Sequence, residues 1–486
     1  MIMEKPSFRV IIVGGGITGL SAAFTLQEES QRIGWPVSCT LIEKTPSWGG
    51  KIVTDYMDGL LLEGGPDSFL TIKPWAMDLC ERLGLKNELI QTNESQNLTF
   101  AYSRGRLRKL PQGLVSFVPT RVGSLFSSGL ISWVGMARMG LEWFVPARSH
   151  GSRDETLASF FSRRVGREAF DRLIEPLVAG IYAGDAEELS LRATFPRLYE
   201  LEGKYGSLMK GILAQRSAPS SASFSSTKPR SLFMTLRGGL GDLIGSLVKR
   251  IEASGTQLRQ GQPVKALRIS NKHGKKYQVI LDNDEVLKAD SVILATPAYV
   301  TADLLRPLHQ PLGGWLNEIP YASTATISLA YQTNEMRMVP RGFGFVVPRV
   351  EGKSLIAATW SSLKWAGRTP PGETLIRCYV GGTGRESILE RDDSSLVAYV
   401  KDELRLIAGI RCQPLLTKIY RWPRALPQYT AGHLDRVQQI HHALRSFDGL
   451  YLTGAAYNGI GIPDCIREGS QTARELVRNA SQRAGQ

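Results

Sequence analysis

Phe8-Arg9-Val10-Ile11-Ile12-Val13-Gly14-Gly15-Gly16-Ile17-Thr18-Gly19 is a short apolar run ending in three consecutive glycines, with a fourth soon after. Such a run, bounded by glycine, predicts a buried strand over residues 8–13. Residues 19–30 then read as a helix and 37–43 as a second strand, which together make a βαβ unit. In that context the glycines have separate tasks. Gly14 lets the chain turn tightly, Gly16 lets backbone approach a pyrophosphate, and Gly19 lets helix pack closely on strand. Gly15, Ile17 and Thr18 complete the loop, and the pyrophosphate would sit on the positive N-terminus of the helix. Glu43 ends the second strand, where a carboxylate can accept hydrogen bonds from both ribose hydroxyls of an adenosine. An acid there also argues against a 2′-phosphate, and so against NADP. Lys44 follows it in the expected cofactor site.

Two glycine pairs come next, Trp48-Gly49-Gly50-Lys51 and Glu63-Gly64-Gly65-Pro66-Asp67. Placed just after a βαβ unit, they bring backbone close to a second part of a dinucleotide. Nicotinamide enzymes do not need them, so they point to flavin. Far along the chain, Thr453-Gly454-Ala455 and Gly459-Ile460-Gly461-Ile462-Pro463-Asp464 precede a helix from about Cys465, with Asp464 placed to cap it. Free amides at that helix start can stabilise negative charge on a reduced flavin. Val292-Ile293-Leu294-Ala295-Thr296-Pro297-Ala298 has the character of the strand that ends a flavoprotein dinucleotide domain, and Val264 lies where such folds pair backbone with adenine. Both ends of the chain therefore converge on FAD, bound non-covalently.

The bulk properties set limits around this. At 486 residues the chain predicts two or three domains. A formal net charge of +14 suits a polyanionic substrate, an anionic membrane face or nucleic acid; nucleic acid is not expected as a partner. Five scattered cysteines without a CxxC, and six histidines without an HExxH pattern, argue against a disulfide framework and a zinc site. No metal is expected, and reduced cytosolic thiols fit better. The N-terminus lacks a signal-peptide pattern. Residues 114–145 are rich in Phe, Leu, Trp and Met but are interrupted by Pro119, Arg121 and Arg138. They fall short of the roughly 18–20 apolar residues of a spanning helix, and could cover a pocket or lie on a membrane surface. The expected location is cytoplasmic with peripheral membrane association left open, as monomer or homodimer.

Elsewhere the pattern predicts helix over about 75–95, mainly helix over 155–209, a mobile Ser- and Pro-rich linker over 216–231, and a helix over 238–251. Residues 276–281 read as an exposed strand and 290–294 as a buried one. Residues 325–331, 344–347 and 375–380 suggest an antiparallel sheet, followed by a helix over 391–407. A short strand at 451–453 feeds the glycine-rich turn and a final helix to 478.

With these motifs in view, the chain resembles the FAD-dependent porphyrinogen oxidases of haem (porphyrin) biosynthesis, within the flavin amine oxidase superfamily. VIIVGGGITGLSAAF (10–24), GGKIVT (49–54), EGGPDSFL (63–70), IEPLVAGIYAGDAEELSLRATFP (174–196) and TGAAYNGIGIPDCIREG (453–469) carry the resemblance. IEPLVAGIYAGD is far more specific than any glycine motif. The likeness is closest to the soluble Gram-positive type, which acts on coproporphyrinogen III and often on protoporphyrinogen IX.

The resemblance implies an α/β (α+β) architecture. A Rossmann-like FAD domain of the p-hydroxybenzoate hydroxylase type would comprise 1–75, 232–298 and 430–486. A mixed-sheet substrate domain would take 76–90 and 299–429, a helical region 91–210, and a flexible linker 211–231. It also implies a six-electron oxidation in three hydride transfers to the flavin, with dioxygen (O2) restoring the cofactor and hydrogen peroxide (H2O2) released. No side-chain base is expected. Substrate contacts carried over are the backbone of Ala183, an aromatic at Trp360, an aliphatic at Val346, and Lys73 and Lys86 towards propionates.

Two other readings compete. A flavin amine oxidase or carotenoid desaturase would share the fold, but amine oxidases present a lysine near the flavin in a strand comparable to STATISLAY (323–331), which has none. A non-catalytic dinucleotide-fold protein, like the prenyl-GTPase escort proteins, is opposed by the intact Gly14, Gly16, Gly19 and Glu43 set with the C-terminal loop.

Overall fold

The computed structural model describes residues 8–484 apart from 97, 112–113, 116–117, 120–121, 149–153, 218–230, 270–275 and 337–340. The opening run forms strand β1 (Phe8–Val13), followed by helix α1 (Ile17–Ile33) and strand β2 (Val37–Ile42). The helix outruns the expected 19–30 at both ends and stops at Gly34, whose φ of 64° is the left-handed cap that glycine adopts without strain. β1 is the centre of a five-stranded parallel sheet, flanked by β2 and then Gln257–Arg259 on one side, and by Ser291–Leu294 and then Leu450–Leu452 on the other. This sheet is thus assembled from distant parts of the chain.

Both faces of this sheet are covered, which is why its strands read as continuous apolar runs. Val10, Ile12, Leu41 and Ile293 pack on α1, the Gly241–Ala253 helix and the C-terminal helix Ile462–Ala484. Ile11, Val13, Ile42 and Leu294 face a three-stranded antiparallel sheet of Val264–Ile269, Tyr277–Leu281 and Val286–Ala289. The strand expected to be exposed near 276–281 is therefore a correction, because Tyr277, Val279 and Leu281 are buried against the main sheet.

A second, seven-stranded sheet carries Leu416–Pro427, Tyr321–Gln332, Glu373–Gly381, Leu355–Trp360, Gly344–Val346, Thr99–Ser103 and Arg106–Lys109 in that order. Neighbours are antiparallel except for the pair between Gly344–Val346 and Thr99–Ser103. One face packs on the Asp393–Ala408 helix. Its last two strands fall inside the region expected to be helical over 91–210, so the helical part starts later, at Val122. The helix expected over 75–95 is also shorter, Trp75–Arg82. Gly84, at φ 77°, turns the chain towards a strand at Leu89–Gln91.

The helical part has its own apolar core, centred on Leu157, Phe160, Phe161, Leu173 and Val178. Beneath its surface Arg164, fully buried, donates from Nε to Glu202 at 2.7 Å and from Nη1 to the carbonyl of Val145 at 2.8 Å and to Glu142 at 3.3 Å. Glu142 also accepts the Leu208 amide at 2.7 Å and the Ser207 hydroxyl at 2.6 Å. The helix Leu208–Ser217 enters the start of the segment expected to be linker; residues 218–230 lie outside the described residues. The aromatic-rich stretch near 114–145 breaks into short pieces, including helices Val122–Ser128 and Trp133–Gly140. Among the described residues no helix is long and apolar enough to cross a membrane.

Candidate active site

The glycines of the first turn differ in what surrounds them. Gly14 has φ 112°, and a Cβ there would meet the Ala295 carbonyl oxygen at 2.7 Å. A Cβ on Gly19 would lie 1.8 Å from the Gly14 carbonyl oxygen, so helix and turn touch backbone to backbone. Gly16 is different, because a Cβ there meets nothing within 4 Å. No side chain caps α1 and no acid lies in its first turn, so its leading amides face that open space. That is the cradle a pyrophosphate needs.

The second and third glycine pairs are stacked onto the first. The Gly49 amide donates to Gly15 at 2.9 Å, and a Cβ on Gly50 would sit 3.3 Å from the Gly16 Cα. Gly65 closes on the Lys51 carbonyl oxygen at 1.8 Å from its notional Cβ, while the Gly64 amide donates to Val53 at 2.8 Å. Burial pulls the Lys51 pKa down between them. Glu43 is buried and already engaged, accepting from the Gly15 amide at 2.7 Å and from the Thr45 amide and hydroxyl at 2.9 and 2.8 Å. It therefore buttresses its own turn, and its oxygens keep lone pairs for a ribose. Lys44 beside it is exposed. Gln262, two residues before Val264, donates its amide to the Glu43 carbonyl at 2.9 Å, which brings Val264 close to Glu43 along the chain. Thr296 sits against Gly14 at the end of the neighbouring strand.

The C-terminal loop closes the opposite end. Gly454 lies by Thr18, and Gly461 accepts the Cys465 amide at 2.9 Å as Ile462 and Pro463 open the last helix. Tyr429 clamps this loop, since its hydroxyl accepts from the Gly459 amide at 2.7 Å and donates to the Ala455 carbonyl at 2.6 Å. His433 stacks on Tyr429 at 4.1 Å and donates from Nε2 to the Tyr457 carbonyl at 3.1 Å. Asp464 lies inside the first helical turn rather than at its cap, and accepts from Lys73 Nζ at 2.5 Å. Lys73, expected to meet a propionate, is therefore first a partner of the flavin loop. Placing a glutamate there would set two carboxylates together, so that substitution probes the loop rather than the substrate.

Burial pulls the His433 pKa from 6.5 to about 4. The unfolded chain takes up a proton below about pH 6.5 that the folded chain refuses until about pH 4, so stability falls as pH drops through that window. The contribution is on the order of 3 kcal/mol at its lower end. A His433→Gln variant has no such proton. Its melting temperature should lie well below the parent's at about pH 7.5, with a gap that narrows by about pH 5. A constant gap would show that His433 is not the linked group.

The structure sorts the five expected substrate residues. Ala183 holds φ 48°, uncommon for a residue with a Cβ, at the end of the Glu175–Tyr182 helix. Its carbonyl accepts from Thr383 at 2.9 Å, and it packs with Ile356, Tyr379 and Leu426. Gln428 donates to the Tyr182 carbonyl at 2.9 Å, which ties this turn to the strand leading into Tyr429 and the flavin loop. Val346 pairs with Ala357, which pairs with Tyr379, so Val346 belongs to the same wall. Trp360 does not. It lies on the other face, packed edge-on to Phe345 at 5.7 Å in the core beneath the Asp393–Ala408 helix. Lys86 is exposed and paired with exposed Glu81 at 2.5 Å. Tyr379, Gln428, Tyr429 and His433 were missed from sequence. The run Gln428-Tyr429-Thr430-Ala431-Gly432-His433 is a polar insert before the flavin loop, and only that placement could have flagged it.

A turn with room for a pyrophosphate, a buried acid at its ribose end and a clamped C-terminal loop over a second domain define an FAD-dependent oxidoreductase. A family model for flavin containing amine oxidoreductase matches residues 17–477, and the chain belongs to that family. Within it, the chain is 38% identical over 476 residues to coproporphyrinogen III oxidase of Bacillus subtilis (strain 168), covering 98% of this chain and 99% of that one. It is 34% identical to the coproporphyrinogen III oxidase of Propionibacterium freudenreichii subsp. freudenreichii, over 96% and 90% of the two chains. A crystal structure from Exiguobacterium sp. 255-15, assigned provisionally as a protoporphyrinogen oxidase, superposes with a TM-score of 0.84 at 31% identity, over 97% of this chain and 99% of that one.

Proposed function

We propose that this chain oxidises coproporphyrinogen III to coproporphyrin III in porphyrin biosynthesis, using three molecules of dioxygen and releasing three of hydrogen peroxide, with protoporphyrinogen IX as a second substrate. The observation that carries the reading is the Ala183 turn, whose neighbour Tyr182 is bonded through Gln428 to the strand that clamps the flavin loop. Substrate wall and cofactor loop are thereby linked by hydrogen bonds. The chemistry that FAD supplies when bound is acceptance of a hydride in each two-electron step and its return to dioxygen. The wall of Ala183, Val346, Ile356, Tyr379 and Leu426 is apolar apart from one phenol, and suits the flat face of a macrocycle. Tyr379 is no base, since burial pushes its pKa up. Glu43, the Gly14–Gly16 turn and Val264 would hold the adenosine and pyrophosphate. Cys465, the thiol next to the flavin loop, has its pKa pushed up by burial to about 11, which favours non-covalent binding.

With all five cysteines free, a reducing cytoplasmic setting belongs to the same reading. So does a peripheral membrane contact through the helical part. Trp133, Val134 and Phe144 are 75%, 80% and 78% exposed, Lys210 lies over the Trp143 ring at 5.3 Å, and Arg148 is half-exposed nearby in sequence. Vesicles containing anionic lipid should retain the protein, and Trp133→Glu with Phe144→Glu should weaken that at least about tenfold. Equal retention of parent and variant would remove the membrane contact. The choice of porphyrinogen is tested by kcat/KM on the two substrates with one FAD-loaded preparation. A higher value for coproporphyrinogen III supports the order given, and a higher value for protoporphyrinogen IX reverses it.

A further inference from the structure

Asp67 sits in a buried ionic cluster that neither the dinucleotide turn nor the substrate wall requires. Lys364 Nζ donates to its two oxygens at 3.2 and 3.0 Å, and the Trp365 indole donates at 3.1 Å. Arg377 Nη1 lies 3.7 Å away, and Arg377 Nη2 donates to the Gly65 carbonyl. The side chains of Lys364, Asp67 and Arg377 are 15%, 13% and 1% exposed. Burial alone would raise the Asp67 pKa, yet Lys364 and Arg377 hold it well below the usual carboxylate range. Arg377 Nε and Nη1 make no hydrogen bond among the described residues.

Two cations therefore face one carboxylate in a water-poor place. Among Asp67, Glu63, Lys364, Arg377, Arg368 and Lys51, cations still outnumber anions. Glu63, the next acid, accepts from Thr54 at 2.7 Å and Leu240 at 2.8 Å and adds a second anion. Arg368, 2% exposed, adds a further cation that donates to the carbonyl of Arg237 at 2.9 Å. Lys51 is a fourth, on the backbone segment that Gly65 touches. A buried excess of one sign is costly unless an opposite charge comes to it. The cluster is bonded directly to the loop of Gly64 to Asp67, at the end of the site away from Glu43 and Val264.

We propose that Lys364 and Arg377, set against Asp67, raise the reduction potential of the bound flavin by stabilising the negative charge it gains on reduction. Uptake of a hydride, two electrons with one proton, adds one negative charge to the ring, while the reductant loses the hydride and is oxidised by two electrons. A fixed net positive charge beside the ring favours the reduced side of that balance without moving. This rests on FAD binding, and stands or falls independently of which porphyrinogen is the substrate.

The test is the two-electron midpoint potential of the FAD-loaded protein, measured against a reference dye without any porphyrinogen. Lys364→Met removes a cation and should lower the reduced-to-oxidised ratio at a given potential about tenfold, a fall of about 30 mV for a two-electron couple. Asp67→Asn removes the anion and should shift the potential in the opposite direction. Lys364→Arg, which keeps the charge, should restore the parent value to within about twofold, or about 10 mV. Loosening of the loop would move the two charge-removing variants the same way. Shifts of the same sign, or a Lys364→Met potential equal to the parent's, would overturn the proposal. Should Asp67→Asn fail to retain FAD, the Lys364→Met and Lys364→Arg pair decides by itself.

Discussion

Replacing Gly19 by alanine should yield a protein that purifies nearly colourless and melts early. The added Cβ would stand 1.8 Å from the Gly14 carbonyl oxygen and 3.1 Å from its carbon, both backbone atoms with no rotamer to yield. Relief requires the first turn of α1 to move off the strand, which distorts the turn that receives the pyrophosphate. Overpacking of this kind costs about 1–3 kcal/mol or more, so FAD affinity should fall by roughly tenfold to a hundredfold or beyond. Gly16→Ala separates the two consequences. Its Cβ meets nothing within 4 Å, and its φ of −73° is open to any residue. The FAD-free form should therefore melt as the parent does, while FAD affinity drops because the new methyl fills the space the phosphates need. Titration of the apoprotein with FAD, beside a melting curve without it, checks both. Equal FAD affinity in parent and Gly16→Ala would place the pyrophosphate elsewhere.

The second large effect belongs to the helical part. Arg164→Met removes the fully buried guanidinium that joins Glu142 and Glu202. Both acids stay buried, with Arg163 still on Glu202 at 2.9 Å but no cation on Glu142. Breaking a buried pair from one side costs about 3–5 kcal/mol, a large share of the margin by which a domain is stable. An earlier thermal transition is expected, and a rise in the porphyrinogen KM that exceeds any loss of FAD affinity, because Tyr182 beside Ala183 packs into this core. Arg164→Met combined with Glu202→Leu should recover part of the loss. A single-variant melting curve matching the parent's would show that the network carries no stability.

The dinucleotide half was legible because its requirements are local. A strand covered on both faces reads as an unbroken apolar run, and a turn touching backbone to backbone must be glycine, as at Gly19. The substrate half depends on register. A bulge between Leu355 and Ala357 shifts the pairing, so that Thr359 joins Ala357 on the Tyr379 side while Trp360 turns to the core with Phe345. One extra residue decides the face, and the local sequence carries no sign of it. Asp67 was read as part of the cofactor site, and a buried acid demands a cation. With 59 lysines and arginines in the chain, nothing local singles out Lys364, 297 residues away, or Arg377 beyond it. Lys73 and Lys86 looked alike from sequence, yet one lies on the flavin loop and the other on an open surface.

The most direct test mixes the FAD-loaded protein with coproporphyrinogen III in air and follows porphyrin fluorescence together with hydrogen peroxide. Fluorescent porphyrin that appears only with dioxygen, accompanied by about three peroxides for each porphyrin formed, is the result expected. An FAD-loaded preparation inert towards both coproporphyrinogen III and protoporphyrinogen IX, yet active on an amine, would contradict it.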